Sequence, residues 1–198
     1  MGDTKSGRDE QADDEEQRQR ERELAEALDR GNEPEPVDPG TLVDLEAGLD
    51  DLEYPATGTD LVAAVGEYEV PTSDGTYALA DLIPDTEAET FDSPAAVSVR
   101  VKRPTVAAAM TRIIEASRDV SGLEFGASQR AAYEKTFRAL RAVDTLDDDE
   151  GVVAITDWIV DRIEATDDLP GSRAVRRRAA KYARANDYSV SADEWLGI

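Results

Sequence analysis

Apolar residues recur along this chain at two different spacings, and the change from one to the other divides it. From residue 104 onward the spacing is helical. Val106, Met110, Ile113 and Ile114 share one face at i, i+4, i+7 and i+8, behind Pro104 in a first-turn position. A loop at 123–126 precedes a second helix, capped at Ser128, with Tyr133, Phe137 and Leu140 facing inward. A third helix presents Val152, Ile155, Trp158, Ile159 and Ile163, with the acidic run 147–150 at its start, where carboxylates suit the helix dipole. A fourth starts at Pro170-Gly171-Ser172 and runs to about residue 185. Beyond it, Ser191 with Glu194 and Val190 with Trp195 fit a capping box and its hydrophobic staple.

Upstream the pattern is mixed. Leu42, Leu45, Leu49 and Leu52 fall on a short helix with Thr41 as N-cap and Asp44 as the third-position acid, broken by Tyr54-Pro55. Thr57 or Thr59 caps a helix over 60–65, closed by Gly66. Tyr68 and Val70 alternate with acids, 71–75 reads as a turn and 76–79 returns, which predicts a β-hairpin. Leu82 and Ile83 form a short turn ending at Pro84, and Ser93-Pro94 is a helix-start pair. Val97, Val99 and Val101 then alternate with Ser98, Arg100 and Lys102, predicting an extended segment over 97–102. Residues 13–30 are strong helix formers ending at Gly31, but their apolar side is only Leu24, Ala25, Ala27 and Leu28, a marginal helix at best. Pro34, Pro36 and Pro39 make 32–40 an extended linker. The expected class is α+β: a disordered or marginally helical acidic tail and linker over 1–40, a small helix-hairpin module over 41–103, and a helical half over 104–198.

Charge changes the picture more than any motif. The 198 residues hold 45 acids against 22 bases, net −23, with only four lysines. Forty per cent of the residues are hydrophobic, which favours a folded protein with an acid-coated surface over a disordered one. Such a coat repels itself in dilute buffer, and molar salt screens the repulsion within about 3 Å. Acid excess with few lysines is therefore expected of a cytoplasmic protein in a salt-accumulating archaeon. No apolar run approaches the ~20 residues that span a bilayer. The N-terminal MGDTKSGRDE has no apolar signal core, so a membrane location is not expected.

The chain has neither cysteine nor histidine. That removes thiol nucleophiles, Cys/His zinc sites and imidazole bases, leaving acid–base work to Asp, Glu, Lys or Tyr. Gly122 and Gly126 are isolated, and no phosphate-cradling glycine motif occurs. The acidic run 147–150 fails as a calcium loop: with Gly151 at the sixth place, the first ligand would be Leu146. No catalytic set, metal or cofactor is expected.

Leu52, Tyr54-Pro55-Ala56-Thr57, Asp60-Leu61-Val62, the Asp74-Gly75 turn and Thr90-Phe91-Asp92-Ser93-Pro94 form a recognisable string. It resembles a small domain family of unknown function in bacteria and haloarchaea, whose members pair a (D/E)YPA(T/S)…LV opening with a (Y/F)DSP exit leading into a helix. The resemblance covers about a quarter of the chain and implies no activity. At 97–103, where those members run straight into a helix, this chain departs from the pattern.

The feature that suggests a contact is basic. Residues 172–184 contain Arg173, Arg176, Arg177, Arg178, Lys181 and Arg184 and no acid. On a helix, Arg173, Arg177, Lys181 and Arg184 form one stripe and Val175, Ala179 and Tyr182 another. A second basic zone, 100–141, has nine bases against four acids and includes Arg100 and Lys102. Either these cations pair with acidic neighbours inside the fold, or they face a partner. The expected function is a non-catalytic interaction or regulatory protein contacting a protein partner or nucleic acid through the basic C-terminal helix. The alternative is a DNA-binding regulator with a ribbon-helix-helix-like segment at 97–144, its Ser98, Arg100 and Lys102 facing bases. The long link 118–127 fits that motif badly. Phosphate contacts also weaken steeply with salt, with a log–log slope near −0.9 per contact.

Overall fold

The computed structural model describes residues 37, 39–72, 75–141 and 149–186. The helix expected at 13–30, Pro34 and Pro36 of the linker, Asp147 and Asp148, and the capping box at Ser191 and Glu194 lie outside the described residues. Within them the architecture is α+β. A module of short helices and two small antiparallel pairs of strands precedes four longer helices.

The module opens with a 3-10 turn, Pro39–Leu42, that leads into α1 (Val43–Asp50). Leu42, Leu45 and Leu49 are buried, as their spacing predicts. The cap differs. Leu42 occupies the N-cap position without a side-chain bond, because the 3-10 turn takes in Thr41 before the α-helix begins. After β1 (Ala56–Thr57), α2 (Gly58–Val65) carries a full capping box. The Thr57 hydroxyl accepts from the Asp60 N–H at 3.1 Å, and the Asp60 carboxylate accepts from the Thr57 N–H at 2.9 Å. Hydrogen bonds from the Thr57 side chain and backbone hold the Asp60 carboxyl below the usual carboxylate range. Glycine is required at 58: a Cβ there would lie 2.1 Å from the Pro84 carbonyl oxygen.

The predicted hairpin is present as β2 (Glu69–Thr72) and β3 (Gly75–Ala78), with Val70 opposite Tyr77. The first strand continues through Pro71 and Thr72 instead of turning there, and Gly75, at φ +149°, opens the second strand opposite Thr72. A one-turn helix, α3 (Leu79–Leu82), follows, and β4 (Thr90–Phe91) pairs with β1.

The extended segment predicted at 97–102 is a helix, α4 (Pro94–Val101). Two local signals outweigh the valine alternation. The Ser93 hydroxyl accepts from the Ala96 N–H, and Pro94 sits at the first helical position, where its missing N–H costs nothing. Val97 and Val101, one turn apart, are both fully buried, each contributing about 1.5–3 kcal/mol by leaving water. Ser98, expected to face outward, is buried with them. Ser93-Pro94 thus leads straight into a helix that takes in 97–101.

The longer helices are α5 (Pro104–Arg118), α6 (Ala127–Arg141), α7 (Glu150–Thr166) and α8 (Ser172–Ala185). Ser128 lies inside α6 and does not cap it. The described residues form two apolar clusters. One joins Leu45, Leu49, Leu61, Leu82, Val97 and Val101 within the module. The other joins Met110, Ile113, Tyr133, Phe137, Ile159 and Val175 among the four helices. Helix α5 contributes to both: Ala107 belongs to the first, and Val106, Met110, Ile113 and Ile114 to the second. Polar ties follow the same route. Asp149, just before α7, accepts from Thr105 at 2.8 Å and from Tyr77 at 3.5 Å, and pairs with Arg141, whose side chain is 6% exposed.

Tyr133 pins α6 to the start of α8. Its ring is fully buried, its hydroxyl donates to the Pro170 carbonyl, and Gln129 donates to that same carbonyl at 3.2 Å. Burial pushes the Tyr133 phenol up to about 12; Asp168 adds to the shift, while the Gln129 hydrogen bond and Arg162 oppose it. The folded state therefore keeps a proton that the unfolded chain releases near pH 10. The associated stability is intact below about pH 10 and lost between there and about pH 12, at roughly 1.4 kcal/mol per pH unit. Denaturant melts across this range should show a shallower alkaline decline for Tyr133→Phe than for the native chain. At neutral pH the variant should lose about 1 kcal/mol through the missing donor. Equal alkaline slopes would contradict this placement of Tyr133.

Candidate interaction surface

Helix α8 exists because its two sides differ completely. Val175, Ala179, Ala180 and Ala183 are buried against the other helices, while Arg173, Arg177, Arg178, Lys181 and Arg184 are exposed. Small buried residues let the helix lie close to α6 and α7, and every long side chain except Arg176 and Tyr182 is driven to the outside. The stripe expected at Arg173, Arg177, Lys181 and Arg184 is brought together on one solvent-facing row. Arg176 sits apart: it is half-buried at the edge of the apolar side, with its Nε inside the fold. Arg178 stands over the half-buried Trp158 ring of α7, its guanidinium carbon 5.7 Å from the ring centroid.

Four arginines of the second zone behave differently. The Arg100 side chain is only 13% exposed, and its NH1 lies 3.2 Å from Glu134 and 3.4 Å from Glu89. Arg130 reaches the same Glu89 at 3.7 Å, donates from Nε to the Phe125 carbonyl at 2.7 Å and covers the Phe125 ring. Arg112 pairs with Asp157 at 2.8 Å, and Arg141 with Asp149. Arg100, placed with the contact residues on the strength of an extended segment, is instead an internal tie between α4, α6 and the approach to β4. Lys102 ends α4 half-buried, on a different side of the helix from Arg100. The paired strands required by a ribbon-helix-helix-like reading of 97–144 are therefore not formed.

Among the described residues, no ion pair involves Arg173, Arg176, Arg177, Arg178 or Lys181. Also among them, no group of acidic side chains is arranged to hold a metal ion. An open depression of about 410 Å³ lies between α1 and the end of α2, lined by Leu45, Val62, Val65, Tyr68 and the carboxylates of Asp44 and Glu67. No described helix is long and apolar enough to cross a membrane.

The split between internal and exposed arginines has a measurable consequence. Arg100→Ala takes its cation from Glu134 and leaves the largely buried Glu89 with Arg130 alone, and should cost about 2 kcal/mol. Arg177→Ala, on the open row, should shift stability by less than about 0.5 kcal/mol. Thermal or denaturant melts of the two variants check the contrast; comparable losses would contradict it.

Comparison with known proteins reaches the module and the start of the central helix. No curated protein and no solved structure matches the chain. Residues 39–112 match a family of unknown function, DUF5789, a stretch that runs from the 3-10 turn through the module and into α5, including the Ala107 that α5 lends to the module's core.

Proposed function

We propose that this is a non-catalytic, cytoplasmic interaction protein of a salt-accumulating archaeon, and that it holds an acidic partner protein through the exposed basic row of α8. One observation carries the reading. In a chain with 45 acids and 22 bases, Arg173, Arg177 and Lys181 have no carboxylate partner among the described residues, whereas Arg100, Arg112, Arg130 and Arg141 each have one. Cations left unpaired amid such an excess of acid are available to a ligand from outside. The composition supports the non-catalytic part, since neither cysteine nor histidine is present to act as nucleophile or base. The acid coat supports the habitat, because its self-repulsion is relieved only where salt is high. A DNA-binding role has no strand at 97–102 to read base edges, and would rest on the charge of α8 alone.

Capture from native lysate in molar KCl tests this proposal, with nuclease-treated and untreated arms. The native chain should retain a protein partner in both arms. Arg173→Glu with Arg177→Glu should reduce retention at least about tenfold, with stability unchanged within about 0.5 kcal/mol. Unchanged retention, unfolding of the variant, or loss of capture on nuclease treatment would overturn the reading.

A further inference from the structure

The exposed side of α8 has a definite shape as well as a charge. Arg173, Arg177 and Lys181 follow one another at i, i+4 and i+8, with Arg184 at i+11, so the row extends about 16 Å along a rigid helix. At 100° per residue, Ala174 and Ala185 lie between this row and Arg178. Both alanines are exposed. They stand about 16 Å apart, one near each end of the helix, with Arg178 and Lys181 between them along the axis. Tryptophan and arginine are the side chains most often decisive in protein interfaces. The guanidinium already over Trp158 occupies the ring face that a nucleobase would need for stacking.

This inference rests on the reading of α8 as a contact surface. The geometry points to the occupant as an acidic α-helix of the partner protein, with carboxylates at the matching i, i+4 and i+8 positions over Arg173, Arg177 and Lys181. A single exposed ion pair contributes little, so recognition requires the row to be met as a whole. A helix with its acids scattered around the axis meets only one or two of the bases. Duplex DNA also offers regularly spaced charge, but it carries one negative charge per about 1.7 Å of axis. It would have to approach a chain of net charge −23 whose residues 31–99 include no base. A short acidic helix meets less of that repulsion.

Three fluorescent probes distinguish these cases in anisotropy titrations of the full chain. The first is a lactam-bridged helical peptide of about sixteen residues, with glutamates aligned at i, i+4 and i+8. The second has the same composition with the glutamates permuted onto different faces. The third is a duplex DNA of about two turns. The aligned peptide should bind at least about tenfold more tightly than the permuted one. That preference should vanish in Arg177→Glu with Lys181→Glu, and also in the milder Arg177→Gln with Lys181→Gln. A peptide carrying lysines in place of the aligned glutamates should instead bind the charge-reversed variant better than the native chain. Equal binding of the two acidic peptides, binding of neither, or tighter binding of the duplex would overturn the inference. The contact reading is judged separately by the lysate capture. Partner retention that depends on Arg173 and Arg177, with no preference for the aligned peptide, would leave α8 as the contact and remove the acidic helix as its ligand.

Discussion

One helix has to satisfy two cores. Ten of the fifteen residues of α5 are buried, far more than an amphipathic surface helix buries, because apolar neighbours lie on both sides of it. Toward the module it shows Ala107 and Ala108, small enough for the short helices of that side to come close. Toward the longer helices it shows Val106, Met110, Ile113 and Ile114. Neither cluster is complete without α5, so the module and the helical half are held to each other by burial. The Asp149 cluster, which gathers Tyr77 from the hairpin, Thr105 from α5 and Arg141 from α6, adds direction to that attachment.

The same frame sorts the charges. The acids of a stretch without any base, 31–99, can be balanced only from outside it, and Glu89 draws on Arg100 and Arg130 to do so. Glu89, Glu134 and Asp149 draw their arginines from α4 and α6, while Arg173, Arg177, Arg178 and Lys181 of α8 stay exposed with no ion pair among the described residues. Its buried face is alanine and valine, with nothing for a cation to pair with. A rigid framework therefore presents a charged row whose spacing is set by the helix and not by mobile side-chain roots.

Much of this was legible in the sequence wherever one signal dominated. The helical periods within 104–141 and 150–185, the Ser93-Pro94 start and the alternation that makes β2 and β3 each had a single physical cause, and the structure follows them. The segment 97–102 misled because Val97, Val99 and Val101 satisfy a period of two while Val97 and Val101 also satisfy one helical turn. Only the Ser93 cap upstream and the space beside Leu49 decide between them. Arg100 was misplaced for that reason: its role depends on Glu89 and Glu134, which lie far from it in sequence and come to it only through the fold. The exposure of the α8 row was legible from spacing alone. That Arg173, Arg177 and Lys181 have no carboxylate partner among the described residues was not, since that depends on where the other elements go.

Native-state amide hydrogen exchange on the full chain in molar KCl tests the shared-wall arrangement most directly. If α5 completes both cores, its amides between Val106 and Ile114 should be among the slowest to exchange. Protected amides of the module and of α6–α8 should then converge on one opening free energy with the same denaturant dependence. Exchange of the module through its own lower-energy opening, with α5 to α8 still protected, would contradict the account.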